Sequence, residues 1–397
     1  MSSHKLLVIG LDVAPLAAST KNAGYEVYSV DYFGDLDLKN SCSLSLSVIA
    51  QREGVSCGRV NLDFNPQDLL VLVRKLVKTR EVDGILISSG LEDYPQVLSA
   101  LNELAPIIGN SSRTISRVRD KERFFIELNR IGVSHPETRL VENLEEAKRN
   151  ARDIGYPIII KPMKGFGGSG IRKAVNPKRL EAILSFISSG ESFLIQEYVE
   201  GKPASTSVIS ATVGARTLTV NEQLLGMRSL GQHEPFCYCG NIVPLEISKS
   251  VIKQCREISK KVVLHFNLLG SNGVDFVITE ENQPKVIEVN PRFQGTLECV
   301  EQVLDINLVK AHIESCTLGV LPDVGKARGF CVRLILYALK RSRIPALDLL
   351  EGVRDIPFKG VVVEAGEPLC SIVAKGSSRI LALGKARKLA DFIYRSI

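Results

Sequence analysis

The chain has no run of apolar residues approaching the length of a membrane span, so a helical transmembrane protein is not expected. It carries no basic block, and its basic and aromatic residues do not interleave, so no nucleic-acid partner is expected either. The formal net charge of +6 over 397 residues is a mild excess that suits anionic small ligands such as nucleotides. Cysteine is present but unorganised: nine residues, an odd number, fall singly apart from Cys237 and Cys239. No second cysteine or histidine pair has zinc-site spacing, so buried or cavity-lining thiols are expected there in spite of nearby His233. Reduced thiols imply a cytoplasmic setting. The apolar start at residues 5–10 is short and runs straight into a polar, turn-like segment, which argues against a secretory leader. There is no internal repeat and no low-complexity segment.

What is present is an ordinary globular composition, 45% hydrophobic and 24% charged, in a chain long enough for two or three domains. Residues 5–110 alternate short apolar strands (5–9, 26–30, 84–88) with helices (15–23, 66–78, 95–103). Leu69, Leu70, Val73 and Leu76 share one face of the second helix. Such alternation means parallel pairing and a doubly wound α/β sheet. Residues 10–15, GLDVAP, depart from GxGxxG, which disfavours a nicotinamide cofactor. Asp31, about twenty residues on, is therefore read as a strand-end cap. Glu92 lies just past a strand's carboxyl end, where open parallel sheets receive ligands. It either contacts a substrate or starts the next turn.

Beyond residue 110 the pattern gives helices at 120–131 and 144–154, a strand at 158–160, and strand-like segments at 193–200 and 205–213. A long amphipathic helix covers 251–266 and another helix 304–319. From 329 onward the chain changes to short strands and Gly/Pro turns, closed by a helix at 382–394.

Three segments carry chemistry. Residues 273–292, GVDFVITEENQPKVIEVNPR, form two strands around a polar turn. A four-residue loop pairs Thr279 with Pro284 and so Asp275 with Glu288. Opposed carboxylates repel, so the face is either merely solvated or built to hold a cation. Alternation adds Asn290 to the same face, and an all-oxygen set of Asp275, Glu288 and Asn290 favours Mg²⁺ or Mn²⁺ over zinc. Residues 161–170, KPMKGFGGSG, place Lys161 at the end of a strand before a glycine-rich loop. Its backbone amides could approach phosphate oxygens, or it is a flexible hairpin. No GK[ST] closes it, so it is not a P-loop. Residues 193–201, FLIQEYVEG, run an apolar strand into an acidic linker that could offer backbone groups to an adenine edge.

In this order, with Asp120-Lys121 opening a helix upstream, these segments resemble the ATP-grasp superfamily over roughly residues 5–320. The N-terminal stretches are similar to uncharacterised archaeal and methylotroph proteins described as ATP-dependent carboligases related to biotin carboxylase. The resemblance implies an N-terminal α/β domain (1–112), two ATP-clasping lobes (113–200 and 201–322) and a β-rich C-terminal module (323–397). It implies that Lys121 and Lys161 bind ATP phosphates beneath a lid containing Gly165, Gly167, Gly168, Ser169 and Gly170. Glu197, Tyr198 and Val199 would read adenine, and Asp275, Glu288 and Asn290 would hold Mg²⁺ or Mn²⁺. Arg292 would stabilise the reacting acyl group. Seven positions after Glu197, where many relatives place a ribose-binding glutamate, stands Ala204, so Glu200 takes that role or the ribose is held less tightly. Arg228 either pairs with a substrate carboxylate or is a surface arginine. The implied reaction is ADP-forming ligation of a small-molecule carboxylate to an amine, in coenzyme biosynthesis, by a homodimer. The alternatives are bicarbonate phosphorylation, for which the β-rich tail lacks a lysine flanked by methionines, and a non-catalytic ATP-binding protein.

Overall fold

The structure is a computed structural model and describes residues 4–57, 64–165, 167–187 and 192–397. The chain opens with four parallel strands, β1 (Lys5–Ile9), β2 (Glu26–Asp31), β3 (Leu44–Ser47) and β4 (Gly84–Ile87), in the order β3-β2-β1-β4. They alternate with α1 (Ala14–Asn22), α2 (Leu36–Ser41), α3 (Pro66–Val77) and α4 (Pro95–Leu104). Both faces of β1 are covered, which is why it reads as an unbroken apolar run. Leu6 and Val8 pack with α1, and Leu7 and Ile9 with α3 and α4. The buried face of α3 is Leu69, Leu70, Val73 and Leu76, as the periodicity implied, and Asn65 caps it by accepting from the Gln67 amide. The doubly wound sheet is thus present. Asp31 caps a turn at its strand end, accepting from the Gly34 amide at 3.0 Å and the Ser47 hydroxyl at 2.5 Å.

Two helices follow, α5 (Ser112–Arg119) and α6 (Lys121–Arg130), and Asp120 between them is the N-cap of the second. The next layer is a four-stranded antiparallel sheet in the order β5-β8-β6-β7: β5 (Thr138–Val141), β6 (Ile158–Pro162), β7 (Arg172–Ala174) and β8 (Phe193–Glu197). It packs against α7 (Leu144–Ile154) and α8 (Pro177–Leu184).

An eight-stranded antiparallel sheet forms the rest of the frame, in the order β13-β12-β9-β10-β11-β14-β18-β16. Its strands are β9 (Lys202–Ala211), β10 (Gly214–Leu225), β11 (Tyr238–Val243), β12 (Gly270–Ile278), β13 (Pro284–Asn290), β14 (Phe330–Tyr337), β16 (Val353–Arg354) and β18 (Pro368–Gly376). Helix α9 (Lys249–His265) packs against β9 and β10. The segment after residue 323 is β-rich as expected, but β14 pairs directly with β11 and carries the same sheet onward. Only β15 (Ser342–Arg343) and β17 (Val362–Val363) pair apart from it among the described residues.

The helix expected at 304–319 is α11 (Leu308–Thr317), and a further helix, α10 (Leu297–Leu304), precedes it. Asp305 adopts φ +57° and Asn307 accepts from the Lys310 amide at 2.7 Å, so short polar side chains stop one helix and start the next. The terminal helix α12 (Arg379–Ser396) covers β14 and β18.

Candidate active site

The carboxyl ends of β1 and β4, the small antiparallel sheet and the large sheet enclose a cavity of about 1210 Å³. Its carboxylate face is the β12–β13 hairpin. Asp275 stands opposite Glu288, but by a different register from the one expected: Ile278, not Thr279, pairs with Pro284. A bulge at Ile287 absorbs the extra residue, so Phe276 pairs with Val286 and Asp275 still meets Glu288. Asn290 donates from Nδ2 to Asp275 Oδ2 at 3.0 Å. Burial, then the charge of Glu288, pushes the Asp275 carboxyl up to about 7. Burial also acts to raise Glu288, but Arg119, Lys121 and Lys161 together hold it below the usual carboxylate range. Among the described residues no three His, Cys, Asp or Glu side chains form a metal cage. Two carboxylates and an amide oxygen at one cavity wall fit a hard cation that draws its other ligands from a bound phosphate chain.

The cationic side of the cavity surrounds Glu288. Lys161 ends β6 and faces the cavity, and burial lowers its ammonium to about 8. Lys121, at the first position of α6, donates to the Pro162 carbonyl at 2.9 Å, and its charge acts on Glu288 from behind. Glycines 165, 167, 168 and 170 all have positive φ. The loop is docked: the Gly167 carbonyl accepts from the Tyr238 amide at 2.8 Å, and the Gly170 amide lies 3.4 Å from Glu234 Oε2. A Cβ on Gly168 would stand 2.0 Å from the Phe236 carbonyl oxygen, so only glycine lets the backbones meet. Ser169 lines the cavity, and Phe166, part of the expected lid, lies outside the described residues.

Tyr198 and Val199 line the cavity, and Glu197 lines it with its carboxylate already engaged by Lys285 at 3.2 Å and the Glu137 amide. What the linker presents is therefore backbone rather than a free carboxylate. Glu200, one of the two alternatives for the ribose, is exposed in the link between β8 and β9 and borders a separate shallow depression. Arg228 stands where the surface-arginine alternative put it. It opens a short 3₁₀ turn, is exposed, and does not line the cavity. Its neighbours Gln232, His233, Glu234 and Cys237 do, while Cys239 is buried.

Glu92 is 8% exposed and lines the cavity. It accepts from the Gly90 amide at 2.7 Å and pairs with Arg292 Nε. Burial would raise its carboxyl, but Arg292 and then Arg119 bring it below the ordinary value. Arg292 also donates to the Phe293 carbonyl at 2.8 Å and to Asn290 Oδ1 at 3.3 Å, which ties it to the carboxylate face.

Two cavity arginines escaped the sequence reading. Arg119 bonds Asp93 with two nitrogens, at 2.7 and 3.0 Å, and Glu288 with a third. In sequence it looks like an ordinary basic residue ending α5. Arg333 on β14 bonds Asp12 at 3.0 Å and Asp355 at 2.6 Å. An arginine inside the apolar run FCVRLILY was its one visible signal.

Residues 118–296 match a protein family described as the ATP-grasp domain. An uncharacterized protein of Methanocaldococcus jannaschii is 28% identical over 393 residues, 98% of this chain and 92% of that protein. The carbamoyl phosphate synthase large chain of Helicobacter pylori is 25% identical over 84% of this chain, which spans only 31% of that relative. Among solved structures, the biotin carboxylase domain dimer of Hydrogenobacter thermophilus 2-oxoglutarate carboxylase, with MgADP and bicarbonate, aligns with a TM-score of 0.74. Its identity is 17%, covering 98% of this chain and 89% of that one. N5-carboxyaminoimidazole synthase of Aspergillus clavatus, with ADP and 5-aminoimidazole ribonucleotide, has a TM-score of 0.74 at 15% identity, covering 100% and 99%. At these identities the structural likeness shows the fold, an ATP-grasp fold with an N-terminal α/β domain.

Proposed function

We propose that the chain, whose residues 118–296 match the ATP-grasp domain family, is an ADP-forming ligase that joins a small-molecule carboxylate to an amine. One observation carries the reading: the opposed pair Asp275–Glu288, Lys161 and the glycine loop, and the Glu92–Arg292 pair meet at one cavity. Asp275, Glu288 and Asn290 would hold Mg²⁺ or Mn²⁺, which when bound neutralises β- and γ-phosphate oxygens.

In this reading Lys161 faces the phosphate chain, Lys121 supports it electrostatically, and the docked glycine loop excludes water above it. The backbone of Tyr198 and Val199 meets the adenine. A substrate carboxylate oxygen attacks the γ-phosphorus, and the bond to the β–γ bridging oxygen breaks, releasing ADP and leaving an acyl phosphate. The amine nitrogen then attacks the acyl carbon, loses its proton, and phosphate departs with the C–O bond electrons. Arg292, held by Glu92, sits where it can stabilise the oxyanion of that second step. A cytoplasmic homodimer acting in coenzyme biosynthesis completes the proposal. The described residues include no helix long and apolar enough to cross a membrane.

The test is Mg²⁺-dependent ADP release across a panel of carboxylate–amine pairs. Turnover should need both substrates and should be abolished in Glu288→Gln, which still folds. Bicarbonate alone sustaining ADP release would move the assignment to a carboxylase-type enzyme. ATP binding without turnover on any pair would leave a non-catalytic ATP-binding protein.

A further inference from the structure

The guanidinium of Arg119 lies on Glu288, one of the two carboxylates expected to hold the divalent cation. Its side chain is 9% exposed and is gripped from the other side by both oxygens of Asp93. Asp93 Oδ2 also accepts from the Gly165 amide at 3.3 Å, so a chain of contacts runs from the glycine loop through Asp93 and Arg119 to Glu288. Around this point Glu92, Asp93, Asp275 and Glu288 face Arg119, Lys121, Lys161 and Arg292. A guanidinium and a divalent cation on the same carboxylate repel each other, and the low-polarity surroundings of a nine-tenths buried arginine strengthen that repulsion. Each therefore weakens the other's hold on Glu288. A bound phosphate chain supplies new anionic oxygens, and Arg119 already lines the cavity where such a chain would lie.

We propose that Arg119 is a gating and positioning residue that occupies Glu288 in the nucleotide-free protein and yields it only when nucleotide phosphates offer its guanidinium another partner. This inference rests on the ligase reading of the same site and adds an order to it. The free cation binds poorly, nucleotide and cation bind together, and the glycine loop is held by Asp93 until they do.

The experiment is a Mn²⁺ titration of the full-length protein by electron paramagnetic resonance, with and without ADP. Wild type, Arg119→Gln, Arg119→Lys and Asp93→Asn are compared. Arg119→Gln should bind free Mn²⁺ at least about tenfold more tightly than wild type, which is about 1.4 kcal/mol. It should also lose most of the tightening that ADP produces in wild type. Arg119→Lys keeps the charge without the fork and should fall between the two. Asp93→Asn leaves Arg119 on Glu288 and should not tighten Mn²⁺, but trypsin should cut after Lys164 faster because Arg119 and Gly165 then compete for a single acceptor oxygen. Equal or weaker free Mn²⁺ binding in Arg119→Gln, with wild type still binding Mn²⁺ and ADP together, overturns the inference and spares the ligase reading. If Arg119→Gln does not fold, Arg119→Lys with wild-type Mn²⁺ affinity overturns it equally. A wild type that binds no ADP with either cation removes the ligase reading and this inference with it.

Discussion

Replacing Glu92 by glutamine isolates the contact between the N-terminal sheet and the reacting end of the cavity. The Glu92 and Arg292 side chains are 9% and 15% exposed, so the pair is largely withdrawn from water. Deleting one member of such a pair outright costs about 3–5 kcal/mol. Glutamine is milder, because its amide oxygen can still accept from Gly90 or from Arg292, and Arg292 retains the Phe293 carbonyl and Asn290. The expected loss is therefore about 1–2 kcal/mol, the difference between a charged and a neutral hydrogen bond in a buried setting. That corresponds to a melting temperature lower by about 2–6 °C in a thermal-shift assay. Turnover should suffer more than stability. With its carboxylate anchor gone, Arg292 shifts from the position where it meets the oxyanion, and a displacement of this kind costs about 100-fold in rate. The KM for ATP should change little, because Glu92 sits on the wall formed by the N-terminal domain, away from the linker proposed to meet the adenine. Full turnover in Glu92→Gln, or a loss confined to nucleotide affinity, would refute the placement of Arg292 at the acyl group.

Lys161 has a lowered folded-state value of about 8 against 10.5 when exposed. Between those values the unfolded chain binds more protons than the folded one, so its contribution makes stability rise with pH across that window. The full difference is about 3 kcal/mol at most. Because buried tyrosines and cysteines titrate in the same range, the readout is the difference between wild type and Lys161→Met in chemical denaturation at pH 8 and 10. Parallel curves would show that Lys161 is not desolvated. Gly168→Ala drives a Cβ into the Phe236 carbonyl, whereas an alanine at Gly167 meets open space and suffers only its φ of +60°. The first should undock the loop and weaken Mg²⁺·ADP binding by more than tenfold, while the second should cost about 1–2 kcal/mol of local strain and much less affinity. Equal effects of the two, measured by calorimetry, would contradict the docked loop.

The site residues were legible in the sequence to different degrees, and the reason is distance along the chain. Asp275, Glu288 and Asn290 lie on two consecutive strands, so hairpin geometry alone brings them together. Even so, the register that pairs Asp275 with Glu288 arises from a bulge at Ile287 that no hydrophobic pattern announces. Glu92 was flagged by its place after a parallel strand, a rule of topology. Its partner Arg292 lies 200 residues away and could be joined to it only by the packed fold. Arg228 and Glu200 carried the right chemistry for binding, yet one sits in an exposed turn and the other outside the cavity, since side-chain direction in loops has no sequence period. Arg119 and Arg333 were hidden for the opposite reason: one resembles a helix-end cation and the other sits in a strand that looked like a separate module.

Alternation and glycine placement were enough to specify the parallel N-terminal sheet, the capped helices, the glycine-loop backbone and the hairpin that carries the two carboxylates. All of these are local, because strand period, cap chemistry and positive φ act over a few residues. Tertiary structure alone decided that the last strands extend the large sheet by pairing β14 with β11, which sets Arg333 on the cavity wall. It alone decided that Arg119 rests on Glu288 and that Asp93 links it to the glycine loop. Burial converts those long-range neighbours into strong electrostatic partners, and burial belongs to the folded chain as a whole.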